Sequence, residues 1–168
     1  MENVISGRRH TVNRTQIKNV MIKHLHSVYF CKVYVLEYLE QTKAKVRNKE
    51  LQKLVDQIVL VLKEHIGILD QFYAKLHVQP DNAYMSGLRS YTQEAMMVFQ
   101  LESKTQFEKE LVMLSYLDVI SAINATQIRM LDRMVRSLNI PDNHFKTFIA
   151  GCVEIGNDIE KLAGSYLG

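Results

Sequence analysis

The sequence holds only two prolines and seven glycines in 168 residues. The turns of a many-stranded sheet draw on both residue types, so their scarcity argues against such a fold and suits long helices. Cysteine is as rare: Cys31 and Cys152 stand alone, each among apolar neighbours in a stretch that reads as helical. Two such residues make no disulfide framework, and the expectation is a pair of small core side chains. The chain also lacks any run approaching the about 20 apolar residues of a membrane span. Its opening MENVISGRRH has no apolar stretch and does not read as a signal peptide. A cytoplasmic chain without a membrane part is expected.

Charge of one sign is in short supply too. A formal net charge of +3 and a pI near 8.8 are mild, below what a dedicated nucleic-acid binder carries. Arg8, Arg9, His10 and Arg14 form a short basic cluster. It reads as a solvated, flexible tail over residues 1–13. A phosphate-binding arm, making this a nucleic-acid-associated protein, is the alternative. The 168 residues fit one domain, and a hydrophobic share of 47% is enough to fill its core.

Apolar residues recur at spacings of three and four along four long segments. The first helix is expected from about Arg14 to Val46, capped by Asn13 or Thr15, with a stripe of Ile17, Met21, His24, Leu25, Val28, Lys32, Val35, Leu36 and Leu39. Asn48 caps a second helix from about Lys49 to Leu76, whose stripe runs from Leu51 through Leu62 and His65 to Phe72 and Leu76. So short a break implies an antiparallel hairpin. Pro80 and Asp81-Asn82 end that pair. Residues 83–104 read as one or two short crossing helices. A third long helix spans about Thr105 to Leu138, with Phe107, Leu117, Ser121, Asn124 and Ile128 on its stripe. A last one spans about Asp142 to Tyr166, burying Phe145, Phe148, Cys152 and Ile159. The fold class is therefore all-α, an antiparallel four-helix bundle of two hairpins with a short helical crossover.

Three short motifs point to a family. Val28-Tyr29-Phe30-Cys31-Lys32 matches in part a Leu-Tyr-x-Ala-Glu type motif, Met85-Ser86-Gly87-Leu88 matches Met-x-Gly-Leu, and Leu62-Lys63-Glu64-His65 keeps the histidine of a Glu-x-x-His. Over roughly residues 15–167 the chain resembles the YciF-like branch of the ferritin-like superfamily. The resemblance implies a ferritin-like bundle with an iron or manganese di-metal carboxylate centre, and an oxidase or stress-response role.

The ligand positions depart from that pattern. Lys32 stands at the first-helix glutamate position and Leu62 at the partner position of His65. Ser121 and Asn124 take the third-helix acidic pair, and the fourth-helix acid falls near Cys152 or Glu154. A protonated ammonium cannot ligate, and hard cations want carboxylate oxygens and imidazole. The site is accordingly expected to be degenerate, without a cofactor, His65, Cys152 and Glu154 being the remaining candidate metal ligands. Two readings stand for Lys32. Either it is buried and paired with a carboxylate such as Asp118, helped by Asn124 or His65, or its ammonium snorkels outward to water. The function expected is that of a non-catalytic structural or stress-associated interaction module, not an enzyme. It would be a homodimer through an apolar face of Tyr34, Tyr38, Met96, Met97 and Phe99.

Overall fold

The computed structural model describes residues 13–83, 85–141 and 144–167, without the side chains of Leu88 and residues 144–146. The expected basic tail up to residue 12, the Asp142 start of the last helix, the burial of Phe145 and the leucine side chain of the Met-x-Gly-Leu motif lie outside the described residues.

All regular structure among the described residues is helical: α1 Arg14–Thr42, a 3-10 turn Lys43–Lys45, α2 Lys49–Leu76, α3 Ser86–Gln100, α4 Gln106–Ser137 and α5 His144–Leu167. The boundaries follow from capping. The Asn13 side chain accepts from Thr15 N, and the Asn48 side chain accepts from Glu50 N and Leu51 N. Thr105 and Glu108 form a reciprocal capping box at the start of α4. His77 (φ 54°) and Asn139 (φ 55°) turn left-handed just past α2 and α4, the conformation that stops a helix. Two expectations shift. The first helix ends at Thr42, not Val46, because the chain tightens into the 3-10 turn. Asn13 and Arg14 belong to the folded part: Arg14 Nη2 donates to Leu138 O at 2.9 Å, tying the start of α1 to the end of α4.

Helix α1 packs on α2 and α4, and α5 packs on the same two, so the four long helices close a ring with α1 and α5 at opposite corners. Side-chain pairs fix the directions. On α1, Glu40 bonds Lys63 of α2 while His26 meets Tyr73; Ser27 accepts from Gln127 of α4 while Arg14 reaches Leu138 at that helix's end; and Ser121 of α4 meets Gly156 of α5 while Glu110 accepts from Tyr166, so each of these neighbouring pairs runs antiparallel. Helix α3 lies outside the ring against α1 and α4, joining the end of α2 to the start of α4.

The core has two apolar halves. One, near the α1–α2 tip, gathers Cys31, Val35, Leu39, Leu51, Leu62 and Leu114. The other gathers Met21, Leu25, Leu69, Ile128, Phe148 and Cys152. Most of the expected stripe residues are buried, with Phe107 an exception. It is exposed and stacks on Tyr166 with ring centroids 5.8 Å apart. The aromatic face expected at a dimer contact is largely internal: Tyr34, Tyr38 and Phe99 are buried where α3 covers α1, and of the five only Met97 is exposed. Contrary to the sequence reading, α4 is long and apolar enough to cross a membrane by length and composition, with Asp118 the single charge between residues 111 and 128.

Candidate functional site: a buried lysine, histidine and cysteine

Between the two apolar halves lies a polar layer. Lys32 is 1% exposed, one of the most deeply buried side chains in the molecule. It stands one turn from Val28 and Val35 on the core stripe of α1, so the helix aims its whole length inward. Its Nζ lies 3.1 Å from His65 Nδ1 on α2 and 3.9 Å from Cys152 Sγ on α5, and 5.1 Å from the Phe148 ring centroid. The snorkelling reading is excluded by this burial.

The carboxylate expected beside Lys32 is not there. Asp118 is exposed. The buried arc of α4 centres on Leu117, Ile120 and Asn124, and one residue past Leu117 the helix has turned about 100° toward solvent. Glu154 is exposed as well, so on α5 the inward position belongs to Cys152.

His65 is held from two sides. Its imidazole stacks on Phe148, centroids 4.1 Å apart and planes 16° from parallel. A Cβ at Gly151 would come within 3.5 Å of His65 Cε1 and Nε2, so the glycine backbone brings α5 close to the ring's edge. Phe148, Gly151 and Cys152 fall at i, i+3 and i+4 of α5, one face of one turn. Burial first, and the nearby Lys32 second, push His65 down to about 3, so the imidazole is neutral near pH 7. With its proton on Nε2, Nδ1 accepts from the Lys32 amine.

Burial likewise holds the Lys32 amine below the ordinary lysine range, a drop opposed by the Cys152 and Cys31 thiols. Cys31, also fully buried, is pushed up to about 11 by burial, with Lys32 opposing. Beside the trio a cavity of about 40 Å³ is lined by Lys32, His65, Ser121, Asn124 and Cys152 among apolar side chains that include Leu62. Asn124 is 7% exposed, and its Oδ1 has no hydrogen-bond partner among the described residues.

The layer thus brings together Lys32, Leu62, His65, Ser121, Asn124 and Cys152, the residues singled out as a degenerate site, and leaves out Asp118 and Glu154. This donor set does not fit a di-metal carboxylate centre. It offers one imidazole, one thiol and neutral oxygens around an amine, and no cluster of three His, Cys, Asp or Glu forms among the described residues. Its chemistry is that of a buried amine, which is nucleophilic when unprotonated.

A second polar centre was not foreseen. Glu110 of α4 is buried beneath the α1–α2 tip. Its Oε1 accepts from Asn48 N at 3.1 Å, Gln106 Nε2 at 2.6 Å and Arg47 N, and its Oε2 accepts from Tyr166 Oη at 3.0 Å. Burial raises its pKa, but these donors outweigh burial and leave it below the usual carboxylate range. No spacing on α4 marks this acid, because apart from Gln106 one turn before it, its partners come from the α1–α2 tip and from α5. No protein-family model, no curated protein and no solved structure matches the chain.

Proposed function

We propose that this protein is a four-helix bundle of ferritin-like connectivity whose centre has exchanged metal ligands for an amine, and that it serves as a non-catalytic interaction module. The observation that carries the reading is Lys32, buried with its Nζ on His65 and Cys152 at the layer where a ferritin-like bundle would gather carboxylates. A lysine in the place of the family's glutamate brings no anionic oxygen for a hard cation to bind. The connectivity supports the same reading: two antiparallel hairpins, joined through α3, with α1 and α5 at opposite corners of the ring.

The interaction role draws on α4. Val119, Ile123 and Met130 are exposed on one stripe of that helix, at spacings of four and seven. Such a stripe is the kind of surface two copies of one chain cover by pairing, and the homodimer reading moves here from the aromatic face that α3 covers.

The test is metal loading. The purified protein is equilibrated with Fe(II) or Mn(II), freed of loose ions and analysed by elemental analysis. Well under one ion per chain is expected. About two ions per chain, the stoichiometry of a di-metal carboxylate bundle, would overturn the proposal.

A further inference from the structure

The trio at the centre has a chemistry that an interaction role does not use. Lys32 Nζ and Cys152 Sγ are 3.9 Å apart, both side chains buried inside the protein. An amine and a thiol in that position are the two halves of a covalent link, lacking only an oxidant. The adjoining cavity of about 40 Å³ exceeds the roughly 10–15 Å³ that one water needs. A molecule of hydrogen peroxide is little larger than water. Asn124 lines the same cavity, and its Oδ1 is buried without a hydrogen-bond partner among the described residues.

We propose that Lys32 and Cys152 form a reversible sulfur–nitrogen bond under peroxide, a redox staple between α1 and α5. In the first step the Cys152 sulfur takes one oxygen from hydrogen peroxide. The S–O bond forms, the O–O bond breaks, and the hydroxide released takes up the thiol proton and leaves as water; the thiol is oxidised by two electrons to a sulfenic acid, and peroxide is reduced. In the second step the Lys32 lone pair attacks the same sulfur. The N–S bond forms, the S–O bond breaks, and the departing hydroxide takes an amine proton, for which His65 Nδ1 is the adjacent relay. The two steps together consume one peroxide, release two waters and remove two hydrogens from the protein. An added dithiol reverses the bond by attacking sulfur, which returns the amine and then the free thiol while the reductant becomes a disulfide.

Burial favours this outcome over deeper oxidation. A sulfenic acid in water meets more peroxide, whereas here a buried amine stands 3.9 Å from the sulfur, its pKa lowered by burial. The bond would join residues 120 apart in sequence, on two helices at opposite corners of the ring.

The folded protein is treated with hydrogen peroxide, and its intact mass and protease-derived peptides are read by mass spectrometry. The expected result is loss of two hydrogens and a joined pair of peptides containing Lys32 and Cys152, both reversed by dithiothreitol. The product should persist in Cys31→Ser and vanish in Cys152→Ser and Lys32→Met. A Cys31–Cys152 disulfide, any other product at Cys152, or an unreacted Cys152 would overturn the proposal. The peptide map is read on the unaltered chain, so it decides the matter even if a variant folds poorly.

Discussion

Lys32 of α1 and His65 of α2 face each other at 3.1 Å, Nζ to Nδ1, both buried, and no carboxylate is among the described residues that line the cavity beside them. Burial drives both toward their neutral forms, and Lys32 adds to the push on His65. Cost follows from such a pair, not stability.

The first prediction is that Lys32→Met stabilises the protein. A lysine whose folded pKa lies below its unfolded value binds fewer protons when folded. The unfolded chain therefore gains by protonating it at every pH below about 10.4. Methionine fills nearly the same volume with no charge to bury, and apolar replacement of buried ionic groups gains up to about 4 kcal/mol. Thermal or urea melts of both proteins measure it. The pH dependence is diagnostic: stability that rises from the folded pKa toward about pH 10 in the parent should be flatter in the variant.

The second prediction concerns acid. His65 is pushed down to about 3 in the folded state, against about 6.5 unfolded. The contribution is fully present above pH 6.5 and is lost as pH falls toward 3, at about 1.4 kcal/mol per unit for one proton. Urea midpoints between pH 7 and 4 should drop less in His65→Leu than in the parent. An identical slope in both proteins would mean that the imidazole protonates freely when folded.

Much of this centre was legible in the sequence, and the reason is periodicity. Lys32, His65, Asn124 and Cys152 fall at core spacings on four separate helices, and each is buried. Periodicity fixes one helix at a time, however, and says little about edges. It could not tell that Asp118, beside Leu117, turns to solvent, or choose between Cys152 and Glu154. Nor could it give α1 a second covered side: Tyr34 and Tyr38 look like a free aromatic face until α3 is laid over them. Glu110 was beyond its reach because, Gln106 aside, the groups that satisfy it lie about 60 residues away.

The third prediction tests that hidden acid. Glu110→Gln keeps the shape but replaces one acceptor oxygen by a donor, while the N–H groups of Arg47 and Asn48, the Gln106 amide and the Tyr166 hydroxyl still point at it. A buried donor left facing a donor costs about 1–3 kcal/mol, so the urea midpoint should fall by that amount near neutral pH. The folded pKa is lowered, so this stability is present above about pH 4.3 and lost as pH falls through the folded value. The difference between parent and variant should therefore shrink in acid.

The fourth prediction concerns the outer side of α4. Val119, Ile123 and Met130 are each more than 40% exposed, yet the core needs none of them: the buried side of the helix is supplied by Met113, Leu117, Ile120 and Ile128. An Ile123→Asp change adds a charge on the solvent side, where surface substitutions usually move stability by no more than about 0.5 kcal/mol. The same charge at the centre of a paired stripe would be buried without a partner, and repeated in the second copy. Analytical ultracentrifugation should accordingly give a dimer for the parent and a monomer for Ile123→Asp, with thermal melts that differ little at high dilution. A parent that stays monomeric at high concentration, or a variant that remains dimeric, would remove α4 from the interface. An unchanged dimer would then direct attention to exposed apolar residues elsewhere, such as Leu60 on α2.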